Sequence, residues 1–247
     1  MRKLRTKVRL LVLLALVLGT TACNIDGNFE QGPLETENKT VKLGAAKSVN
    51  VEIQMGAGEL NLGGGAKDLM EGEFTYNVPR WKPEVQYNVS GTTGQLTIRQ
   101  HAHTGGPRGA RKNQWDLRLN NSVPMDLRVE LGAGKSNLVL GSLSLENLQV
   151  HMGVGEAVVD LGGDWKNKLR ANIEGGVGKA TVRLPRDVGV EVHATGGIGE
   201  IHAAEFRKQG NTYVNEAFGK SPITLRIDVS GGVGEIDLQL ASGPPVV

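Results

Sequence analysis

The chain is 247 residues long, with 39% apolar and 4% aromatic residues, one cysteine and a formal net charge of +2. Five basic residues lie among the first nine. Without them 23 Lys and Arg face 26 Asp and Glu, so the basic balance is no argument for nucleic-acid binding. The apolar residues are mostly Val, Leu, Ile and Ala, which suits a narrow β core with little room for rings, and helix-period runs are absent after residue 22.

Residues 1–22 have the three-part layout of a secretory signal: Arg2, Lys3, Arg5, Lys7 and Arg9, then the apolar run Leu10–Leu18, then the small residues Gly19-Thr20-Thr21-Ala22. Nine apolar residues are too few to span a bilayer, which takes about 20. Cys23 follows directly and has no second cysteine to pair with. The segment resembles a bacterial lipobox, with Thr20 in place of the usual Leu. The resemblance implies cleavage between Ala22 and Cys23, diacylglycerol on the Cys23 sulfur and acylation of the new amino terminus. Several acyl chains anchor a protein stably where one is marginal. Asn24 in place of Asp favours the outer membrane where there is one. Residues 23–48 are polar, contain Gly27, Gly32 and Pro33, and read as the lipidated cysteine and a flexible tether.

From Val49 a repeat governs the chain. It is clearest at Val229-Ser230-Gly231-Gly232-Val233-Gly234-Glu235-Ile236-Asp237-Leu238, and it recurs with last glycines at 58, 94, 134, 155, 178, 199 and 234. The basic unit is 21 to 23 residues, with insertions in some copies. Such periods mark solenoids, in which each unit buries its apolar side against its neighbours. Apolar-x-apolar runs on both sides of the glycines predict two short strands and two corners per unit. One corner lies at the glycine pairs Gly56/Gly58, Gly132/Gly134, Gly153/Gly155, Gly176/Gly178, Gly197/Gly199 and Gly232/Gly234. The other lies at Gly141-Ser142, Gly162-Gly163-Asp164 and Pro185-Arg186-Asp187. Parallel stacking would make a β-solenoid; hairpins would make an antiparallel meander. The residue after the last glycine favours the solenoid: it alternates Lys135, Glu156, Lys179, Glu200 over four consecutive units, which suits stacked neighbours.

The expected organisation is therefore all-β. Residues 49–122 form an N-terminal region with insertions, 123–241 form the solenoid repeats, and 242–247 form a frayed tail. Gly63 to Asn88 holds Phe74, Tyr76, Trp81 and Tyr87, and reads as strands capping one solenoid end or lining a ligand groove. Arg99 to Arg118 is basic, with Arg99, Arg108, Arg111 and Lys112 as a candidate partner surface for anionic envelope polymers or head groups, or simply a solvated loop. Ala203 to Pro222 lengthens one unit, with Phe206, Tyr213 and Phe218 placed to fold back onto the sheet.

Chemical motifs do not survive inspection. Gly134-Lys135-Ser136 lacks the earlier glycine of a phosphate loop, since Val129 occupies that place. His101 and His103 lack a further ligand nearby, and no Ser-His-Asp order stands out. No metal or cofactor is expected.

Two stretches carry a family resemblance: Leu184-Pro185-Arg186-Asp187-Val188-Gly189-Val190-Glu191-Val192 with Gly196-Gly197-Ile198-Gly199, and Tyr213-Val214-Asn215 through Gly219-Lys220-Ser221-Pro222 to Gly231-Gly232-Val233-Gly234. These resemble the bacterial toast-rack family, which includes the C-terminal domain of LiaF-type envelope-stress proteins. Leu69–Asn77 and Trp115–Leu119 resemble its N-terminal region. The resemblance implies stacked β-strands, an envelope location and an interaction role of stress or adhesion type, and supplies no catalytic residues. The resulting expectation is a non-enzymatic, lipid-anchored envelope protein presenting its solenoid surface to an envelope protein or surface polymer. The alternative is a polysaccharide-processing lipoprotein enzyme, which would need carboxylates such as Glu52, Glu130 and Glu174 to converge in a groove.

Overall fold

The structure, a computed structural model, describes residues 32–100 and 111–241. Ala22, Cys23, Arg108, His101, His103 and the tail 242–247 lie outside the described residues. Among the described residues thirteen strands make one sheet. Six are long and carry the repeat: β2 (Ser48–Gly64), β7 (Met125–Val139), β8 (Leu145–Asp160), β9 (Leu169–Leu184), β10 (Gly189–His202) and β13 (Thr224–Leu240). The short ones are β1 (Glu35–Val41), β3 (Met70–Tyr76), β4 (Glu84–Ser90), β5 (Thr93–Arg99), β6 (Asn113–Leu119), β11 (Arg207–Gln209) and β12 (Thr212–Val214). Among the described residues no helix is long and apolar enough to cross a membrane.

The long strands stack in parallel in the order β2-β7-β8-β9-β13-β10. The glycine corner is not a break between two strands, as the sequence suggested, but a bend inside one strand of 14 to 17 residues. The ladder skips only the first glycine of a pair: β7 and β8 match Leu131 with Met152, then Ala133 with Val154. Two constraints fix the glycines. Gly178 has φ +139°, and a Cβ there would stand 1.8 Å from the Gly155 carbonyl oxygen. Gly176 has no unusual φ, yet a Cβ would stand 2.3 Å from the Gly153 oxygen. Bent backbones can stack at strand spacing only if neither carries a side chain facing the next rung.

The bend also resets the alternation. In β7 Met125, Leu127, Val129 and Leu131 are buried, then Gly132, Ala133 and Lys135 are exposed, then Ser136 and Leu138 are buried. Both halves of each strand thus feed one core cluster, which includes Val129, Val150 and Ile173 before the bend and Leu138, Val159 and Val182 after it. The second corners fall where expected, between β7 and β8, β8 and β9, and β9 and β10. There the ladder persists through Leu140 N–H to the Asp160 oxygen and Leu161 N–H to the Arg183 oxygen, each 2.8 Å.

Four features differ from the sequence reading. First, Gly94 is not a seventh bend. It lies in β5 opposite Val49, against the Tyr87 ring, and its neighbour Gly91 makes the β4–β5 turn with φ +60°. The true partner rung of β2 is β5 and β6 together: Ser48–Gln54 pairs with Thr93–Arg99, and Glu59–Gly64 with Gln114–Leu119. Second, Gly58 is not a turn between two strands and does not stack on glycine on both sides. It lies inside β2 with φ +148°, opposite Gly134 of β7. On its other side stands Asn113, whose carbonyl oxygen would be 2.4 Å from an added Cβ. The rung beyond β2 is split into β5 and β6, so it has no bend of its own to set a glycine there. Third, residues 35–41, read as tether, form β1. It pairs antiparallel with β3, which pairs antiparallel with β6. Fourth, units do not stack in sequence order. The chain leaves β10, makes the hairpin β11–β12, and returns to place β13 between β9 and β10. Phe206 and Tyr213 are buried in the core and Phe218 is half-buried. Asn215 locks this excursion down, accepting from Val190 N–H at 3.0 Å and donating to the Val188 oxygen at 2.8 Å.

Candidate interaction surface

At each bend the residue between the two glycines turns outward. Register places these residues in one column: Ala57, Ala133, Val154, Val177, Val233, Ile198. Their exposure is large for apolar side chains: 54% for Val154, 49% for Val177, 45% for Val233 and 74% for Ile198. Four of the six large apolar side chains that are exposed among the described residues therefore form one unbroken ridge. Contiguity distinguishes this from the scattered apolar exposure of any surface.

Two polar rows flank the ridge. Two residues after it run Glu59, Lys135, Glu156, Lys179, Glu235 and Glu200. The alternation read from the sequence is real, but its fourth neighbour is Glu235, because β13 intervenes before β10. Lys135 meets Glu156 at 3.1 Å and Lys179 meets Glu235 at 2.8 Å. The hydrogen bond between them raises the Lys179 ammonium above its ordinary value and lowers the Glu235 carboxyl. Glu200 and Glu235 are adjacent and alike in charge, and His202 Nε2 stands 3.2 Å from the first and 3.8 Å from the second.

Three residues before the ridge run Gln54, Glu130, His151, Glu174, Ser230 and Thr195. Glu52, grouped with these in the sequence, lies two residues further back, opposite Arg128. Between this row and the ridge, over the first glycines, is a groove of about 730 Å³ that exposes edges of Met55, Leu131 and Met152. Its carboxylates are engaged: Glu130 accepts from Arg128 Nε at 2.8 Å, and Glu174 lies 3.0 Å from His151 Nδ1 and accepts from Asn172 Nδ2 at 2.7 Å. Among the described residues no three His, Cys, Asp or Glu side chains are placed to hold a metal ion. Lys135 and Ser136 of the Gly-Lys-Ser stretch lie in β7, with Ser136 buried.

The basic segment lies at the capping end of the stack, where β5 and β6 flank β2. Arg99 is bound to Glu84 at 2.9 Å, which raises its pKa. The Arg111 guanidinium stands 5.9 Å over the Trp81 ring. The Lys112 backbone N–H donates to Asn77 Oδ1. The structure thus places Arg99, Arg111 and Lys112 at the capping strands, by the Ala57 end of the ridge: Arg99 is the register partner of Gln54, and Lys112 precedes Asn113, which bonds to Ala57. At that end Gln100 and Asn113 complete the last bend, the one at Gly56 and Gly58. Gln100 Oε1 accepts from Gly56 N–H at 3.0 Å, and Asn113 Nδ2 donates to the Ala57 oxygen at 2.6 Å.

Residues 30–183 match the family model described as the N-terminal domain of toast_rack, DUF2154. The chain belongs to the toast-rack family. A crystal structure at 1.95 Å of a "putative cell adhesion protein" from Clostridium sporogenes ATCC 15579 matches this toast-rack chain with a TM-score of 0.83 at 35% identity, covering 85% of this chain and 100% of that one. A "putative adhesin" from Bacteroides fragilis NCTC 9343 matches at 14% identity with a TM-score of 0.30, covering 83% of this chain and 97% of that one. No curated protein matches the chain.

The sequence reading missed the ridge residues. Their signal was present as the apolar residue inside every Gly-x-Gly, but period two across a strand gave it no face.

Proposed function

We propose that this toast-rack chain is a non-enzymatic, lipid-anchored cell-envelope protein that presents its ridge to a partner in an adhesion-type role. The observation that carries the reading is the unbroken exposed column Val154, Val177, Val233 and Ile198. Water-exposed apolar surface costs solubility, and a chain that repeats it in register from rung to rung has a use for it. The name borne by the Clostridium relative supports an adhesion role. The signal-like segment and Cys23 support the anchor. The alternative, a polysaccharide-processing enzyme, draws less support, because Glu130 and Glu174 are each tied to a neighbouring cation or amide.

Two measurements test this. Cells fed an alkyne-tagged fatty acid should label the wild-type chain and leave Cys23→Ala unlabelled; equal labelling would remove the anchor. Cells expressing Val177→Glu at the wild-type surface level should lose retention on a host or biofilm surface several-fold. Unchanged retention would remove the adhesion role of the ridge.

A further inference from the structure

We infer that the ridge docks a second copy of this chain, with the two ridges antiparallel about a two-fold axis passing between β8 and β9. This rests on the reading that the ridge is an interaction surface, and it names the occupant. The argument is self-complementarity in size and in charge.

The ridge is graded. In spatial order it runs Ala57, Ala133, Val154, Val177, Val233, Ile198, from small to large. Reversed against itself about that axis, Ala57 meets Ile198, Ala133 meets Val233, and Val154 meets Val177 of the second copy. The summed bulk varies less from pair to pair than in a parallel arrangement, with Val154 on Val177 the bulkiest and Ala133 on Val233 the least bulky. A parallel two-fold would put Ile198 on Ile198 and Ala57 on Ala57, and would hold the small ends apart.

The charged row obeys the same symmetry. Lys135, Glu156, Lys179 and Glu235 are plus, minus, plus, minus in space. Reversal sets Lys135 against Glu235 and Glu156 against Lys179 of the second copy, so these four charges each face their opposite, and only the outermost pair, Glu59 against Glu200, sets like charges together at the two ends. On the other flank His151 faces Glu174. A row with two like charges at its centre would repel itself in this arrangement. Electrostatic matching of this kind fixes register more than it adds affinity. Six strands at about 4.8 Å give a strip about 24 Å long, the scale of a small, reversible interface.

The test uses the full chain in detergent with Cys23→Ala, so that any introduced thiol is the only one. Sedimentation should give twice the chain mass, and Val177→Glu should halve it while leaving the thermal midpoint within a few degrees. Orientation is read by oxidation. Ala133→Cys and Val233→Cys should each fail to crosslink with themselves, because three strand spacings, about 14 Å, separate like positions, beyond the reach of a disulfide. Mixed together they should crosslink. A monomeric wild-type chain, a dimer that survives Val177→Glu, or self-crosslinking of Ala133→Cys would each overturn the inference. If the purified chain is monomeric while Val177→Glu still weakens cell retention, the interaction surface stands and its occupant is another molecule.

Discussion

Gly178 meets two demands at once, since its φ of +139° excludes most side chains and its neighbour's carbonyl oxygen fills the space a Cβ would need. Gly44 meets one: its φ is +64°, with nothing within 4 Å of the place a Cβ would take. The contrast separates conformational cost from steric cost. Gly44→Ala should lower stability by about 1 kcal/mol, the usual penalty for a left-handed non-glycine residue. Gly178→Ala should lower it by about 3 kcal/mol or more, because a rung must shift to relieve the contact. Denaturant midpoints of the two variants would decide; equal losses would mean that stacking is not what selects the glycine.

Strand β1 shows how an element is held. It has only β3 as a hydrogen-bonded neighbour, and its anchor is the Glu35–Tyr76 register pair. Tyr76 is buried and its hydroxyl donates to Glu35 Oε2 at 3.2 Å. Burial first, then the charges of Glu35 and Glu37, push its pKa up to about 12 from 10.0. A phenol that ionises later in the fold than in the unfolded chain contributes stability that is complete below pH 10 and is lost as pH rises towards 12. The expected loss over that window is about 2–3 kcal/mol. Tyr76→Phe should be flatter with pH by that amount, measured by denaturant melts at both ends of the window. At the opposite end β10 is an edge of another kind. Only Glu191–His193 is covered by β12, so Thr195–His202 pairs with β13 alone. The edges β1 and β11 carry Glu and Lys or Arg and Lys, which discourage chance pairing, whereas this stretch of β10 is glycine-rich and carries Ile198.

For the whole molecule, stability should follow the stack. β8 and β9 pair along their length on both sides, and the last strand in sequence, β13, is interior. Hydrogen exchange should therefore be slowest in β8, β9 and β13 and fastest, among the long strands, at the outward amides of Thr195–His202. Comparable protection in that stretch and in β9 would mean that its edge is covered. The ion pairs along the bend are exposed and add little to this gradient; their consequence lies in the pattern they present.

The all-β class, the 21–23-residue unit, the two kinds of corner and the alternating charges were legible in the sequence, because each is a local property: period two, a glycine where the backbone must bend, and a sign at a fixed offset. Gly94 misled because a hairpin turn and a stacked bend both use glycine and both sit between apolar alternations. Strand order was illegible. Nothing local in β10 or β13 states that the later strand enters before the earlier one; that depends on Phe206, Tyr213 and Asn215 fastening the intervening hairpin over the sheet. The polar caps Gln100 and Asn113 beside Gly56 and Gly58 were hidden for the same reason, since a side chain replaces a missing strand only once the neighbouring rung is in place. Sequence by itself determined the rung and its bend, since φ preference and alternation act within a few residues. Tertiary structure alone decided which rungs touch, and so brought Val154, Val177, Val233 and Ile198 into one ridge, because register across strands is set by packing between residues far apart in the chain.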